Sequence, residues 1–234
     1  MSKLRFAIIG CGRISHKHVE ALANNFQEAE LAAVCDIVPE KMDKVVEEYL
    51  EYIEKNKKTD SENKFVGQAD ITGKEVKKYT DYKEMLVNEQ IDVVSIATES
   101  GYHAKHAIDC LNAGKHVLVE KPMALSSVDA DEMIRLAREK KLKLGVCHQN
   151  RFNPPIQKLR RAIEEGRFGK LINGTARILW TRDDNYYKQA PWRGTKALDG
   201  GTLMNQCIHN IDLLQWMMGS EVERVHCERG TFLR

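Results

Sequence analysis

A carboxylate, an ammonium group and a proline follow directly after a short apolar stretch in His116–Pro122 (HVLVEKP). In open α/β sheets, ligands bind in the crevice outside the carboxyl ends of the strands, where Glu120 and Lys121 would lie. Pro122 restricts Lys121 to an extended backbone and permits a cis peptide bond, so the direction of the lysine side chain is constrained. Such a lysine can hold or protonate a reacting oxygen, and the alternative interpretation is a solvated turn.

A Gly-x-Gly turn, Gly10-Cys11-Gly12, lies between an apolar stretch and a helical pattern. The first glycine permits a tight turn, and the second lets the backbone approach a pyrophosphate. The helix N-terminus that begins near Arg13 and Ile14 supplies amide donors and partial positive charge. Ser15 stands where the usual motif has a third glycine or alanine, which we expect to loosen the packing of helix on strand slightly.

Asp36 ends the second apolar stretch, where a carboxylate can accept hydrogen bonds from the ribose hydroxyls of an adenosine. The next residue, Ile37, offers no positive charge, so a 2′-phosphate would meet an uncompensated negative one. The sequence therefore predicts NAD rather than NADP as the cofactor.

A second set of polar residues lies in the helical pattern 203–218, which ends at Gly219. Asn205, His209 and Asp212 are spaced i, i+4 and i+7, so we expect them to share one face of the helix. Histidine titrates near neutrality, which suits removal of a hydroxyl proton while hydride leaves the same carbon. Asp212 would orient the imidazole, or else cap or solvate the helix. A polar histidine at the edge of a core-packed helix is the alternative for His209.

Other candidate residues follow strand ends or lie on loops. Near the cofactor we expect Thr98, His103 and Gln149, and near a substrate Arg151, Trp192 and Arg193. An arginine suits an anionic group, and a tryptophan beside an arginine suits a sugar or nucleotide; a solvated loop residue is the alternative for each. No set of His, Cys and carboxylate residues shows the spacing of metal ligands, so no metal site is predicted.

The elements that must position these residues alternate through the first part of the chain. Apolar strands separated by amphipathic helices predict an α/β fold, a doubly wound parallel sheet covered on both faces. The predicted strands span 4–9, 31–35, 91–97, 117–119 and 144–148, and the helices 13–24, 40–56, 102–113 and 127–140. The polar stretch 56–78 is predicted as a surface excursion.

The pattern changes near residue 150, which we take as a domain boundary: a Rossmann domain over 1–150 and a substrate and oligomerisation domain over 151–234. In the second domain we predict helices at 156–165 and 203–218 and strands at 171–182 and 222–233. A sheet built from so few strands would lack neighbouring strands to pair with. We therefore predict an α+β domain that is truncated in this chain.

The composition excludes several classes of protein. Hydrophobic residues make up 42% and charged residues 30% of 234 residues, and 36 basic residues against 34 acidic ones leave a net charge of +2. Without a basic block or a long apolar run, neither nucleic acid nor a membrane is an expected partner. The six cysteines form no Cys-x-x-Cys pair, which is typical of reduced thiols in a cytoplasmic protein.

The Gly-x-Gly turn, the Glu120-Lys121-Pro122 strand end and the helix with Asn205 and His209 together resemble the Gfo/Idh/MocA family of oxidoreductases. Within it, the stretches 147–155, 192–195 and 203–206 are similar to the UDP-N-acetylglucosamine and UDP-N-acetylglucosaminuronate 3-dehydrogenases of surface-polysaccharide synthesis (WlbA/WbpB-like). The resemblance covers essentially the whole chain.

The resemblance implies an NAD-binding Rossmann domain followed by an open-faced sheet domain, and a homo-oligomer at full length. It also implies that Lys121 and His209 serve the substrate hydroxyl, with the nicotinamide near Glu120. Many family members have aspartate at the position of Asn205. Since asparagine cannot act as a base, Asn205 would position a hydroxyl.

The leading hypothesis is an NAD-dependent dehydrogenase that oxidises the C3 hydroxyl of a UDP-linked N-acetylated hexose or hexuronate. His209 would be the general base, and Lys121 would polarise the reacting oxygen. Two alternatives stay open: a dehydrogenase of the same family for a free polyol such as an inositol, and a non-catalytic NAD-binding regulator.

Overall fold

The computed structural model describes residues 2–62 and 75–230, and within them parallel strands form one twisted sheet in the order β3-β2-β1-β4-β5-β6. The strands are β1 (Leu4–Ile9), β2 (Ala29–Cys35), β3 (Lys77–Tyr79), β4 (Val93–Ile96), β5 (His116–Val119) and β6 (Leu144–Val146). The strand order reverses between β1 and β4, so a crevice opens at the carboxyl ends of these two strands. The predicted α/β Rossmann fold is confirmed.

Helices cover both faces of the sheet: α1 (Ser15–Asn24), α2 (Pro39–Glu62), α3 (Tyr82–Asn88), α4 (His103–Asn112) and α5 (Ser127–Glu139). Successive residues of β1 point to opposite faces, so Ile8 joins a core with α1 and α2 while Ala7 and Ile9 join a core with α3, α4 and α5. Strands buried on both faces explain the near-continuous apolar runs in the sequence.

Part of the predicted surface excursion 56–78 is regular structure. Helix α2 continues beyond residue 56, and β3 forms the edge of the sheet beside β2. Residues 63–74 of the excursion lie outside the described residues.

After β6 the described chain forms α6 (Pro154–Glu164), α7 (Asp184–Lys188), α8 (Thr202–Asn205) and α9 (Ile208–Met218). The predicted strands at 171–182 and 222–233 were wrong as far as the structure describes them, because no strand pairs with either segment within 171–183 or 221–230. The predicted helix 203–218 is interrupted at Gln206 and Cys207, where both amides donate to the carbonyl of Thr202. It ends at Gly219, as predicted, in the left-handed conformation.

None of the helices in the described ranges has the length and apolar character needed to cross a bilayer. All six cysteines are unpaired, and Cys11, Cys35 and Cys110 are buried in the two cores. The division of the chain near residue 150 stays a prediction.

Candidate functional site

The glycine turn after β1 meets two different steric demands. Gly10 has a φ of +93°, and a Cβ there would lie 2.7 Å from the carbonyl carbon of Ala97 and the amide nitrogen of Thr98, so only glycine fits. A Cβ on Gly12 would meet nothing within 4 Å. The first glycine therefore serves the fold, and the second leaves open space beside the start of α1 for a ligand. Ser15, at the third motif position, is buried and donates to the Gly12 carbonyl at 2.6 Å.

The carboxylate of Asp36 is tied to this turn. Its Oδ2 accepts the Cys11 amide at 2.8 Å, and its Oδ1 accepts the Val38 amide at 2.9 Å. A carboxylate offers about four acceptor sites, so Asp36 keeps capacity for ribose hydroxyls. Ile37 beside it is 86% exposed and carries no charge for a 2′-phosphate. The open glycine and the half-free carboxylate fit NAD.

The peptide bond between Lys121 and Pro122 is cis. Lys121 lies at the carboxyl end of β5, and its Nζ donates to the backbone carbonyl of Asn205 at 2.8 Å and to its Oδ1 at 3.3 Å. Burial lowers the pKa of the Lys121 ammonium, while the charges of Glu120 and Asp199 act in the opposite direction. Two of the predicted catalytic residues, 84 positions apart in sequence, are thus brought together.

Asp199 fixes the orientation of Asn205. It is 2% exposed, and its two oxygens accept the Gly194 amide at 2.8 Å and the side-chain amide of Asn205. Because the Asn205 NH₂ group faces Asp199, its Oδ1 faces Lys121. Asp199 was not among the residues singled out from the sequence, where the signal for its role was a lone carboxylate before two glycines.

His209 is 7% exposed, and its Nε2 lies 3.5 Å from the side-chain nitrogen of Gln149. Its Nδ1 is buried without a hydrogen-bond partner among the described residues. Burial, followed by the charges of Lys121 and His148, lowers the pKa of His209 to about 4. The imidazole is therefore neutral at physiological pH, the form that a proton acceptor requires.

Asp212 does not orient His209, so that interpretation was wrong. Its carboxylate pairs with both prongs of the Arg151 guanidinium, at 2.7 Å from Nε to Oδ2 and at a shorter second contact. It also lies 3.7 Å from Nδ1 of His148. His209 and Asp212 both lie in α9, so the interruption between α8 and α9 separates only Asn205 from their helix. Arg151 is engaged within the chain, and its contact with a substrate stays a prediction.

His103 lies beneath the strand ends, so the structure does not support it as a cofactor-facing residue. It is 1% exposed, with Nδ1 2.7 Å from the Pro122 carbonyl and Nε2 3.0 Å from the Thr98 carbonyl. Burial lowers its pKa, and a neutral ring donates to one of these carbonyls at a time. It braces the loops after β4 and β5. Thr98 itself remains at the carboxyl end of β4, with its hydroxyl 3.2 Å from His106.

Sequence reasoning missed a buried relay behind Glu120. Nε2 of His18 lies 3.2 Å from Oε1 of Glu120, and the Ser95 hydroxyl lies 2.7 Å from Nδ1 of the same ring. Burial raises the pKa of Glu120, but the hydrogen bond and charge of His18, together with Lys121, lower it below its usual value overall. Glu120 is therefore ionised beside the lysine. No spacing in the sequence connects His18 with Glu120, which lies 102 residues later.

His18, Glu120 and Cys147 also place a potential ligand atom each within 4.8 Å of one another, although they are distant in sequence. The hydrogen bonds of His18 and Glu120 account for the grouping without an ion, and burial raises the pKa of the Cys147 thiol to about 12. The absence of a metal site stays a prediction.

Trp192 and Arg193 lie on the loop that leads to Asp199. The next residue, Gly194, fixes this loop by donating its amide to the Asp199 carboxylate. The Arg193 guanidinium lies 4.4 Å from the Tyr186 ring and 5.2 Å from the Trp192 ring. The loop docks on the Rossmann sheet at Gly101, whose amide donates to the Leu198 carbonyl at 3.0 Å. A Cβ on Gly101 would lie 2.6 Å from the Ala197 carbonyl oxygen, so the contact requires glycine.

Comparison with known families assigns both parts of the chain. Residues 4–148 match the model described as an oxidoreductase family with an NAD-binding Rossmann fold, and residues 156–234 match the GFO/IDH/MocA C-terminal domain. Myo-inositol 2-dehydrogenase of Thermotoga maritima is 27% identical over 227 residues, which cover 96% of this chain and 58% of the relative.

Two solved structures with higher identity are WlbA dehydrogenases in complex with NADH and UDP-GlcNAcA. The enzyme from Chromobacterium violaceum is 37% identical with a TM-score of 0.75, and that from Bordetella pertussis is 35% identical with a TM-score of 0.74. Each alignment covers 92% of this chain and 55% of the other. The chain thus spans a little over half the length of these relatives.

Proposed function

Because this chain belongs to the Gfo/Idh/MocA family of oxidoreductases, we propose that its full-length protein is an NAD-dependent dehydrogenase of nucleotide sugars. The proposed reaction oxidises the C3 hydroxyl of a UDP-linked N-acetylated hexose or hexuronate. The observation that carries it is the hydrogen bond from Lys121 to Asn205, which joins the cofactor edge of the sheet to the segment bearing His209. Residues 1–150 and 151–234 are the proposed cofactor and substrate domains, the latter also forming a homo-oligomer.

The proposed cofactor residues surround the carboxyl edge of β1, β2, β4 and β5. They are Gly10, Gly12, Arg13, Ile14, Asp36, Thr98, Glu120, Lys121 and Gln149. When bound there, NAD supplies an acceptor for the hydride that leaves the substrate carbon. The ionised carboxylate of Glu120, held by His18, places negative charge next to Lys121.

Side chains of this protein would bind the reacting hydroxyl and remove its proton. Lys121 would donate a hydrogen bond to the reacting oxygen and stabilise negative charge on it. Asn205, with its NH₂ group fixed on Asp199, would position the hydroxyl through Oδ1. The neutral ring of His209 would take the hydroxyl proton. Trp192, Arg193 and Arg151 are the proposed contacts with the rest of the substrate.

A polyol substrate is the second candidate. It is favoured by the similarity to a myo-inositol 2-dehydrogenase over 96% of this chain and by the pairing of Arg151 with Asp212, which occupies one of the cations proposed for an anionic substrate. A non-catalytic NAD-binding regulator would not need both Lys121 and His209.

The test is a thermal-shift and absorbance screen of the full-length protein with NAD and UDP-GlcNAc, UDP-GlcNAcA, myo-inositol or scyllo-inositol. Ligands that bind only the native state raise its melting temperature. We expect NADH formation with a UDP-sugar. NADH formation with inositols alone would establish the polyol alternative, and NAD binding without turnover of any of these compounds would favour the regulator.

A further inference from the structure

The half-buried arginines of the described ranges divide into two groups. Arg5, Arg151 and Arg160 each face a carboxylate, at distances of 2.9 Å or less. Arg182 and Arg193 are also half-buried, yet no carboxylate of residues 2–57 or 75–230 lies within 4.0 Å of either. A charge withdrawn from water normally has a partner, so these two guanidinium groups call for an anion.

Both guanidinium groups converge on the ring of Tyr186. The Arg182 carbon Cζ lies 5.0 Å from the ring centroid, and that of Arg193 lies 4.4 Å from it. The Nε atoms of both arginines are buried without a hydrogen-bond partner among the described residues. The one hydrogen bond recorded for either guanidinium group in these ranges runs from Arg182 to the carbonyl of its neighbour Thr181, at 3.1 Å.

Aromatic rings hold the two arginines in place. Arg182 also lies 4.8 Å from the Trp180 ring, and Arg193 lies 5.2 Å from the Trp192 ring. Tyr186 is itself fixed, because its hydroxyl accepts the side-chain amide of Gln206 at 3.2 Å. Stacking on an aromatic face orients a guanidinium plane without using its N–H donors, and a planar guanidinium can form two-pronged hydrogen bonds to phosphate.

We propose that Arg182 and Arg193 form a binding site for the diphosphate of a nucleotide-linked substrate. Two like charges at one tyrosine repel each other, and a dianionic group between them converts that repulsion into attraction. Asp183, the nearest carboxylate in sequence, is engaged as a helix cap by the Tyr186 amide at 3.0 Å. The inference rests on the proposed function, which it deepens by assigning the diphosphate to a residue, Arg182, outside the predicted site.

The site is linked to the catalytic residues along a short path. Gly194, next to Arg193, donates to Asp199, and Asp199 accepts the side-chain amide of Asn205, which accepts from Lys121. Gln206, next to Asn205, donates to Tyr186. The loop that bears Arg193 and the proposed catalytic residues thus belong to one hydrogen-bonded network.

The experiment is calorimetry of UDP, uridine and inorganic pyrophosphate binding to the full-length protein with saturating NAD. For Arg182→Gln we expect the Kd of UDP to rise about 10- to 100-fold, because a charge-assisted two-pronged contact is lost. Arg182→Lys keeps the charge without the fork and should weaken UDP about 3- to 10-fold. The matched control is Arg177→Gln, an exposed arginine of the same segment, which should leave the Kd unchanged.

The outcomes separate this site from the proposed function. A wild-type protein that binds neither UDP nor pyrophosphate and oxidises inositol would overturn both. UDP binding to the wild type with an unchanged Kd in Arg182→Gln would overturn the arginine site alone. Uridine weakened as much as UDP would show that the arginine holds the nucleoside instead of the diphosphate. NAD affinity and melting temperature report folding, and Arg193→Gln replaces Arg182→Gln if that variant does not fold.

Discussion

The Rossmann region buries mainly apolar side chains, whereas the described part of the region after β6 buries polar ones. Every buried hydrophobic residue of the described ranges lies at or before Ala137, whereas the buried residues after residue 150 are Asp199, Gln206 and His209. Large apolar side chains of the later region are exposed instead, including Ile172, Leu179, Val222 and Val225. The first region is thus held by its own cores, and the described part of the second is positioned by polar contacts with the edge of the first.

Because of this difference, we expect substitutions in the two regions to have different effects. Substitutions in the two apolar cores of the Rossmann region should lower its folding stability. Substitutions in the polar contacts should affect catalysis or docking while the sheet persists. Variants of the full-length protein test whether the apolar cores set stability and the polar contacts set activity.

The largest effect is expected at the junction of the two regions. Lys121→Ala should reduce the single-turnover rate of NADH formation by about 10²- to 10⁴-fold, because the proposed polarising group is lost. Lys143→Ala, an exposed lysine at the start of β6, is the control and should retain the rate. Unreduced hydride transfer in Lys121→Ala would refute the assigned role.

The two glycines of the turn should separate folding from cofactor binding. Gly10→Ala should destabilise the protein by about 2–4 kcal/mol, because the positive φ and the contacts with Ala97 and Thr98 forbid a Cβ. Gly12→Ala has space for its methyl group, so its melting temperature should match the wild type while NAD binds about tenfold more weakly. Equal melting temperatures for both variants would contradict the steric argument.

The relay behind Glu120 predicts a pH-dependent loss of stability. Glu120 has a lowered pKa, so its contribution is present above the pKa of the unfolded chain and is lost as pH falls through the folded pKa. In His18→Leu, burial prevails and the pKa of Glu120 rises, so ionised Glu120 then opposes folding. The wild type should therefore exceed His18→Leu in unfolding free energy by an amount that grows as pH rises from about 4 to 7, reaching roughly 1–3 kcal/mol.

Chemical denaturation across this pH range measures that gap. His18→Gln keeps a donor for Glu120 and should behave more like the wild type. A gap that is constant with pH would show that His18 serves packing alone.

The smallest effect is expected at the ion pair that holds α9 against the turn before α6. Asp212→Asn should lower the unfolding free energy by about 1 kcal/mol, since Arg151 is partly exposed and solvent screens the pair. Arg135→Ala removes an exposed pair on α5 and should cost less than about 0.5 kcal/mol. Equal losses would indicate that the interregion pair is no better shielded than a surface one.

Sequence reasoning succeeded where local patterns and burial agree. Apolar runs predicted five of the six described strands, all except the edge strand β3, whose residues Lys77–Tyr79 form no such run. Glycine and proline, which also act locally, marked the turn after β1 and the strand end before Lys121. The resemblance alone assigned Lys121 and Asn205 to one substrate hydroxyl, and the structure places these two residues in contact.

The errors arose where long-range contacts decide. The strands predicted at 171–182 and 222–233 have β-forming residues, yet a strand needs a hydrogen-bonding neighbour, and none pairs with the described part of either segment. The helix 203–218 is periodic in sequence, but its interruption at Gln206 separates Asn205 from α9. Within α9, Asp212 pairs with Arg151, a partner that the sequence did not indicate. Partners such as His18 and Glu120, 102 residues apart, leave no spacing signature.

The docking of Leu198 on Gly101 has a consequence for engineering. Because the contact leaves no room for a Cβ, the methyl group of Gly101→Ala would clash with the loop at Ala197 and push the loop away from the turn after β4. The dinucleotide turn is built from other residues and would be left intact. One substitution could therefore convert the protein into a cofactor reporter uncoupled from turnover, useful for measuring NAD occupancy without consuming substrate.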